Sequence, residues 1–271
     1  MNAPDNLVEI RGLTFSYGKR PFLRDIDLDI ARGHVVAILG ASGSGKTTLL
    51  QLMGGLLKPQ AGTIRVCKLN VHEASQEQIY AMRREMGVMF QKGGIFSDLS
   101  VFENVAFPIR EHTQLPEAII HDLVVMKLHA VGLRGAQSLM PAELSGGMSR
   151  RVALARAIAL DPPLIIYDEP FAGLDPITLN VVTNLIRTLT DALGGTSVVV
   201  TYDVQEAVKL ADYLYILGDG VMAGHGPTKE MMESTDPFVH QFLHAEPDGP
   251  VKFHFPARPL AEELELARPA G

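Results

Sequence analysis

The sequence predicts an α/β fold built on a parallel β-sheet, with several observations supporting it. Val35 to Leu39 reads VVAIL, a continuous apolar run typical of a strand buried on both faces. A glycine-rich segment, GASGSGKT, follows at once, and a helix is predicted from about Lys46 to Leu57. The apolar runs at Leu164 to Tyr167 and Thr196 to Thr201 are predicted to be two more buried strands. The sheet therefore draws its strands from distant parts of the chain.

The glycine-rich loop between the first strand and the helix has the sequence of a phosphate-binding loop, so the fold is predicted to be a P-loop NTPase. Glycines let the backbone curl around phosphate, and the helix start adds the positive end of its dipole. Lys46 is predicted to neutralise the β and γ phosphates, and Thr47 to ligate Mg²⁺. ATP or GTP is the expected ligand. The predicted phosphate-binding residues are Gly40, Ala41, Ser42, Gly43, Ser44, Gly45, Lys46, Thr47 and Thr48.

Length, charge and cysteine content narrow the class of protein. A chain of 271 residues accommodates one large α/β domain with an inserted subdomain. The net charge of −7 argues against a general nucleic-acid binder. Cys67 is the only cysteine, which excludes a disulfide framework and favours a reducing compartment. Met1 to Ile10 does not have the pattern of a secretory signal, and no apolar run approaches the roughly 18 residues of a membrane span. Membrane contact is therefore expected through a partner.

The remaining elements follow from hydrophobic periodicity. Leu7 to Phe15 and Ile26 to Ile30 alternate between polar and apolar residues, which predicts half-buried antiparallel strands. Thr63 to Val66 is predicted to be a short strand. Residues from about 92 to 160 are predicted to be helical, with Pro116 at a first helical position. One apolar stripe in this region is predicted to be core: Ile119, Ile120, Leu123, Val124, Leu128 and Val131.

Two neighbouring acids follow the second buried strand, in the segment LIIYDEP. Ligands bind at the carboxyl ends of strands in open parallel sheets, so Asp168 is predicted to hold Mg²⁺, directly or through water. Adjacent strand residues point to opposite faces, so Glu169 is expected to address the attacking water instead. A base at this position is typically worth about 10² to 10⁴ in rate.

The segment LSGGM, which ends at Met148, has the character of a second anion site. Ser145 can cap a helix that begins near Ser149, and Gly146 and Gly147 leave backbone N–H groups open to phosphate. One loop already surrounds the bound phosphates, so this site is predicted to face the nucleotide of a second copy of the chain. The simpler alternative is a Gly-Gly turn before a helix.

In this order, the motifs resemble those of the nucleotide-binding subunits of ABC transporters, over residues 7 to 235. The resemblance implies a RecA-like core, an antiparallel β subdomain and an inserted α-helical subdomain, with ATP and Mg²⁺ as the nucleotide and cofactor. It implies that Tyr17 stacks on adenine and that Gln91 reaches the magnesium and the nucleophilic water. It also implies that Leu174 and Asp175 lie at the dimer interface, beside the opposing nucleotide.

Tyr202 is the largest departure from that family. In VVVTYDVQEA the family usually has a histidine before Asp203, which contacts the γ phosphate and orients the catalytic water. Tyrosine cannot become an imidazolium near neutral pH. Loss of one preorganised group commonly costs about 10² to 10³ in turnover. We therefore expect intact ATP binding with slow hydrolysis, and an ATP-binding switch stays open as an alternative function.

Longer stretches resemble the ATPase of the bacterial Mla-type phospholipid transport system, including FENVAFPIREHTQLP and the tail DGPVKFHFPA. That family uses methionine after LSGG, as this chain does at Met148. The resemblance implies an ATPase that is peripheral on the cytoplasmic face of the inner membrane, with an integral membrane permease, a lipid-binding partner and a small regulatory subunit. Residues after Gln91, through about Pro108, are implied to receive the permease's coupling helix.

The predicted domains are residues 1–245, the ATPase with helices inserted at about 92–160, and residues 246–271, a C-terminal extension. The extension is rich in proline and charge and carries Phe253 and Phe255. It reads either as a frayed terminus or as an arm that docks on the second copy. A soluble ABC-type ATPase that acts on DNA or ribosomes is a further alternative. The DNA types need a long coiled-coil insertion, and the ribosomal type has two such domains.

Overall fold

The computed structural model describes residues 5–18, 20–91 and 93–251. The chain divides into two compact units, Met1–Thr228 and Lys229–Gly271, and all the predicted nucleotide motifs lie in the first. In chain order the elements are β1 Asn6–Tyr17, β2 Arg20–Ala31, β3 Val35–Leu39, α1 Lys46–Met53, β4 Ala61–Val66, β5 Leu69–Asn70, α2 Gln76–Arg84, β6 Met86–Met89, α3 Val101–His112, α4 Glu117–Ala130, α5 Gly146–Ala157, β7 Leu164–Asp168, α6 Pro176–Leu193, β8 Thr196–Thr201, α7 Val204–Leu210, β9 Tyr213–Gly218, β10 Val221–Pro227, α8 Thr228–Met232 and α9 Pro237–His244.

A six-stranded sheet in the order β10-β9-β3-β8-β7-β6 forms the centre of the first unit. Strands β9 to β6 in that order pair in parallel, whereas β10 pairs antiparallel with β9. The three apolar runs that predicted buried strands are β3, β7 and β8, and every position in them is buried. Strand β3 is flanked by β8 and β9, so the glycine-rich loop leaves the sheet from an interior strand.

A second, four-stranded sheet has the order β2-β1-β4-β5 and is antiparallel throughout. The predicted alternation is confirmed, since Ile26, Leu28 and Ile30 of β2 are buried while the aspartates between them are exposed. Their side chains share one apolar core with Val36 and Ile38 of β3. The two sheets are therefore held together by a common core, which fixes the strand that precedes the phosphate loop.

The turn between β9 and β10 also connects the two sheets. The amide of Arg24 in β2 donates to the carbonyl oxygen of Gly220 at 2.8 Å. Gly220 has φ 75°, and an added Cβ would lie 2.1 Å from the carbonyl oxygen of Phe22. This close backbone approach requires glycine.

The helices differ from the prediction at their ends. Helix α1 ends at Met53 rather than Leu57 and is capped by Gly54. Pro116 is the N-cap of α4 and lies one position before the first helical residue. The apolar stripe is mostly core, but Ile119 is 45% exposed. Ile119 precedes the buried Ile120 and points about 100° away from it around the helix. It therefore lies outside the face of α4 that packs on α3 and α5.

The second unit contains α9, which is capped by Asp236 through the amides of Phe238 and Val239. The side chain of Gln241 pairs with the backbone of Val251, donating to its carbonyl oxygen at 2.9 Å and accepting from its amide at 2.8 Å. Phe253 and Phe255 lie outside the described residues. Among the parts of the chain that the structure describes, no helix is long and apolar enough to cross a bilayer.

Candidate nucleotide-binding site

The phosphate loop runs from the end of β3 to the start of α1, as its strand, loop and helix order predicts. Gly43 and Gly45 have φ of 80° and 110°. An added Cβ at Gly40 would lie 2.4 Å from the carbonyl oxygen of Leu217, and at Gly45 it would lie 2.6 Å from Leu23 Cδ2. The backbone conformation and the protein's own packing therefore require these glycines, independently of any bound phosphate. The loop is therefore shaped before a ligand binds.

Lys46 is folded back into the loop. Its ammonium donates to the carbonyl oxygens of Gly40 at 2.6 Å and Ala41 at 3.0 Å. It also lies 3.8 Å from Glu169 Oε1. Burial lowers the pKa of Lys46, and the Glu169 carboxylate opposes that change. A buried cation is thus held at the predicted phosphate loop by bonds to its backbone carbonyls.

Asp168 and Glu169 are both buried, but only Asp168 belongs to β7. Glu169 lies beyond the strand with φ 48°, so its direction is set by a left-handed backbone and not by strand alternation as predicted. Its Oε2 accepts from Thr201 Oγ1 at 3.1 Å and from the Tyr202 amide at 3.3 Å. Burial raises its pKa, while Lys46 works in the opposite direction. Glu169 is therefore held in one position at the carboxyl end of the sheet.

Asp168 has the chemistry expected of a magnesium ligand. Its Oδ1 is buried and has no hydrogen-bond partner among the described residues, and the same is true of Ser44 Oγ in the loop. Mg²⁺ is usually bound by one or two carboxylates together with substrate phosphates. Such a site does not need a cluster of ligands, and no group of three or more His, Cys, Asp or Glu residues suited to a metal occurs in the described part of the chain. The residues present therefore fit Mg²⁺.

Replacing Asp168 with asparagine is expected to stabilise the nucleotide-free protein at pH 8. Burial raises the pKa of Asp168, with Lys46 opposing, so ionisation disfavours the folded state as pH rises above the unfolded value of about 4. Asparagine keeps a polar atom at this position but removes the buried charge, which costs more than a neutral group, so the melting temperature should rise by at least about 2 °C. Thermal unfolding without nucleotide measures this, and the gain should shrink as the pH approaches 4.

The exposed Asp98 provides the control, because Asp98→Asn removes the same charge from a solvated position. Its melting temperature should stay within about 1 °C of the wild type, as for an ordinary surface substitution. A melting temperature of Asp168→Asn below that of the wild type at pH 8 would contradict the prediction.

The LSGG segment begins a helix, three residues earlier than predicted. Helix α5 starts at Gly146, and the N-cap Ser145 accepts from the Met148 amide at 3.2 Å. Ser145 and Gly146 are exposed, so the first-turn N–H groups face outward. An added Cβ at Gly147 would lie 2.4 Å from Thr178 Cγ2 of α6. Gly147 therefore brings the starts of α5 and α6 together.

Asp175 has a structural partner that the sequence prediction did not include. It is the N-cap of α6, where it accepts from the amides of Ile177 at 3.0 Å and Thr178 at 3.1 Å and from Thr178 Oγ1 at 2.5 Å. The same threonine contacts Gly147. Asp175 therefore fixes the loop beside the LSGG segment within one chain.

Tyr17, Gln91 and Tyr202 are all exposed. Tyr17 lies edge-on to Phe22 at 5.3 Å, and its hydroxyl is 3.2 Å from Thr48 Oγ1 at the start of α1. Tyr202 follows β8, so its amide reaches Glu169 while its side chain is 52% exposed. Tyr202 therefore contacts Glu169 through its backbone amide and not through its phenol ring.

Two positioning residues were not predicted. Thr201 donates to Glu169, and its Oγ1 accepts from the amide of Asp203 at 3.0 Å. Arg150 donates to the carbonyl oxygens of Gln91 and Ala172, so it ties the Gln91 segment to the loop after Glu169. The only sequence signals were a threonine beside Tyr202 and an arginine after LSGGM, and neither is specific without the fold.

The chain matches the family model described as ABC transporter over residues 23–172. This chain belongs to the ABC transporter family. It is 51% identical over 259 residues to "Intermembrane phospholipid transport system ATP-binding protein MlaF" of Haemophilus influenzae, with 96% of this chain and 98% of that protein covered. The predicted family resemblance is therefore confirmed, and the chain is an ABC-type ATPase.

Solved structures confirm the ABC ATPase fold. A structure of cbiO1 from Clostridium perfringens, part of the ABC transporter complex cbiONQ, has a TM-score of 0.79 at 31% identity and covers 86% of this chain and 92% of that one. A dimeric post-hydrolysis state of the ATP-binding cassette MJ0796, bound to ADP and Pi, has a TM-score of 0.75 at 30% identity and covers 82% and 98%. Cassettes of this family thus bind adenine nucleotides and form dimers.

Proposed function

We propose that this chain is the ATP-hydrolysing subunit of a transporter that moves phospholipid at the bacterial inner membrane. The identity of 51% over nearly the whole chain to a protein named for intermembrane phospholipid transport carries the proposal. The organisation we propose is an ATPase domain at 1–245, with helices inserted at about 92–160, and an extension at 246–271 that docks on the second copy. Nucleic acid is not among its proposed partners.

The phosphate loop, Asp168 and Thr47 are the proposed binding site for ATP and Mg²⁺. Lys46 already points its ammonium at the loop carbonyls, 2.6 Å from the Gly40 oxygen, and would exchange them for phosphate oxygens. Bound Mg²⁺ would offset the phosphate charge, with Thr47, Asp168 and Gln91 as its proposed ligands, directly or through water. Tyr17 lies beside the start of α1 and is proposed to stack on adenine.

The proposed working unit is a homodimer with two composite sites. Ser145, Gly146 and Gly147 form a helix start at which Ser145 and Gly146 are exposed, so first-turn N–H groups are available to an anion. Each such helix start would contact the nucleotide in the other copy, beside Asp175. Binding of ATP then closes the dimer, and loss of the γ phosphate lets the two copies separate.

Glu169 is the proposed general base. Its Oε2 is held by Thr201 and the Tyr202 amide, and its raised pKa suits a carboxylate that must accept a proton. The attacking water gives that proton to Glu169, and its oxygen forms a bond to the γ phosphorus. The bond from the γ phosphorus to the bridging oxygen breaks, which yields ADP and phosphate. Lys46 stabilises the charge on the phosphate oxygens.

An ATP-binding switch with very slow hydrolysis is the second candidate, and Tyr202 favours it. The described contact between Tyr202 and Glu169 is made by the Tyr202 amide, which any residue would supply. The histidine side chain usual at this position is missing, so one orienting group for the γ phosphate and water is lost.

A groove of about 400 Å³ is the proposed docking site for an integral membrane permease. It is lined by residues of α2, β6, α3 and α5, and by the segment between β6 and α3. The lining includes Gly94, Phe96, Phe107 and Pro108, all within the stretch after Gln91 that was expected to receive the coupling helix. The permease would hold the chain at the cytoplasmic face of the inner membrane. A lipid-binding protein and a small regulatory subunit are proposed as further partners.

Purification from bacterial inner membranes followed by a lipid-transfer assay tests this function. The chain is expected to co-purify with its permease, and the reconstituted complex should move fluorescent phospholipid between vesicle populations only when ATP and Mg²⁺ are present. Lys46→Ala should abolish transfer, since it removes the phosphate-neutralising charge. Release of phosphate without any ATP-dependent change in lipid distribution would contradict a role in phospholipid transport.

A further inference from the structure

The groove proposed for the permease is basic, although the chain is acidic overall. The chain has a net charge of −7, yet the charged or titratable residues that line the groove are Arg83, Arg84, His112 and Arg156, with no aspartate or glutamate among the described lining residues. Its other walls are largely apolar, with Phe90, Phe96, Phe107 and Pro108 exposed or partly exposed. A complementary occupant would therefore combine negative charge with apolar side chains.

Arg156 is the unusual member of this set. It lies near the end of α5, and its Nη1 is buried with no hydrogen-bond partner in the described ranges. Its guanidinium lies 5.3 Å from the centroid of the Phe96 ring. Burial lowers the pKa of Arg156, and no carboxylate opposes the change. By contrast, Arg110 of helix α3 donates hydrogen bonds to the carboxylates of Glu103 and Glu117.

Two other nearby arginines have acceptors within the chain, although Arg151 also has a buried Nε without a partner in the described residues. Arg83 donates to the carbonyl oxygens of Gly54 at 3.0 Å and Gly55 at 3.4 Å. Arg151, five residues before Arg156 on the same helix, donates to the carbonyl oxygen of Val131 at 3.1 Å. Arg156 thus keeps a desolvated donor with no acceptor among the described residues, and its side chain lines the groove.

A desolvated guanidinium nitrogen without an acceptor is unfavourable in the isolated subunit. Its planar fork of donors matches a carboxylate, with which it forms two parallel hydrogen bonds. Aromatic walls exclude water from such a pair and strengthen it. Arg156 therefore has the features of the basic member of an ion pair whose acidic member belongs to a partner protein.

We propose that Arg156 binds a carboxylate on the permease segment that enters this groove, and that this ion pair is a main determinant of the subunit's affinity for its permease. The inference rests on the proposed function, because it names the contact by which that permease is recognised. The permease segment would place an aspartate or glutamate over Phe96, with apolar side chains on either side. Because Nη1 is buried in the isolated chain, the guanidinium would turn toward the groove for the carboxylate to take up this donor.

The test measures the affinity of the full-length subunit for its permease in detergent, with Arg156→Leu and the matched variant Arg84→Leu. Arg84 lies at the exposed rim of the same groove. Truncating one partner of a buried charge pair costs about 2–5 kcal/mol, so Arg156→Leu should weaken binding at least about 30-fold. A rim charge is worth little, so Arg84→Leu should change affinity by less than about fivefold.

A double-mutant cycle identifies the partner group. Each acidic residue in the permease's cytoplasmic loops is changed to its amide, alone and together with Arg156→Leu. One carboxylate should lose its effect in the Arg156→Leu background, which is the signature of a direct pair. Arg156→Lys keeps the charge without the planar fork and should give an intermediate affinity.

The outcomes separate the inference from the function on which it rests. Failure of the wild-type chain to bind the permease would overturn both. Wild-type affinity in Arg156→Leu, or additive effects for every permease carboxylate, would overturn only the ion pair. The melting temperature of isolated Arg156→Leu should equal or exceed that of the wild type, and a fall would mark Arg156 as a structural residue instead. Tighter permease binding after removal of residues 252–271 would point to that segment as the groove's occupant and would also overturn the proposal.

Discussion

Replacing Glu169 with glutamine is expected to lower the steady-state ATPase rate of the assembled complex by about 10² to 10⁴-fold. Glutamine has nearly the same shape and can keep the contacts to Thr201 and the Tyr202 amide, which lie at 3.1 and 3.3 Å from Oε2. It cannot accept the proton of the attacking water. Phosphate release from the reconstituted complex at saturating ATP measures the effect.

The pH profile gives a second measure of the same role. Glu169 acts when it is deprotonated, and burial raises its pKa above the ordinary range for glutamate. The wild-type rate should therefore rise as the pH increases through that raised pKa, and this limb should be absent in Glu169→Gln. The exposed Glu77 on α2 is the control, and Glu77→Gln should leave both rate and profile unchanged. A rate for Glu169→Gln within tenfold of the wild type would rule out Glu169 as the base.

Replacing Tyr202 with histidine is expected to raise the ATPase rate of the complex by about 10² to 10³-fold. Histidine at this position would restore a side chain that can contact the γ phosphate and orient the catalytic water. The backbone contact from this position to Glu169, at 3.3 Å, does not depend on the side chain and should remain. Single-turnover and steady-state phosphate release together show whether the gain lies in the chemical step.

The variant Tyr202→Phe tests whether the tyrosine hydroxyl itself contributes to ATP hydrolysis. If the tyrosine hydroxyl takes no part in hydrolysis, the phenylalanine variant should turn over ATP at the wild-type rate. A large loss in Tyr202→Phe would show that the hydroxyl has taken over part of the histidine's work. An unchanged ATPase rate in Tyr202→His would contradict the prediction that Tyr202 limits hydrolysis.

The sequence was sufficient for elements whose signal is local. VVAIL predicted β3 from Val35 to Leu39 to the residue, because a strand buried on both faces needs a continuous apolar run. The glycine-rich loop was predicted because phosphate-binding backbone conformations need glycine. Strand β6 was missed because MGVM is short and only alternately buried. Ser145 was expected as the cap, but helix α5 starts earlier than predicted because Gly146 and Gly147, which are poor helix formers, already belong to its first turn.

The sequence was insufficient where a residue's role depends on a distant partner. Thr201 and Arg150 are ordinary residues until the fold puts them on Glu169 and on the Gln91 segment. Asp175 was predicted to face a second copy, and nothing local indicated that its carboxylate also caps α6. The direction of Glu169 was inferred from strand alternation, but the chain leaves the strand one residue earlier.

The sequence by itself predicted the chemistry: a loop for phosphate, an aspartate for magnesium, a glutamate for water and a tyrosine where histidine is usual. These predictions depend on residue types in a fixed local order, so the spacing of residues along the chain was sufficient to make them. Only the tertiary structure decided the environment of those groups, because burial and hydrogen bonding are set by residues far apart in sequence. Asp168 Oδ1 and Arg156 Nη1 are both buried without partners in the described residues, and that desolvation arises only when distant elements pack together.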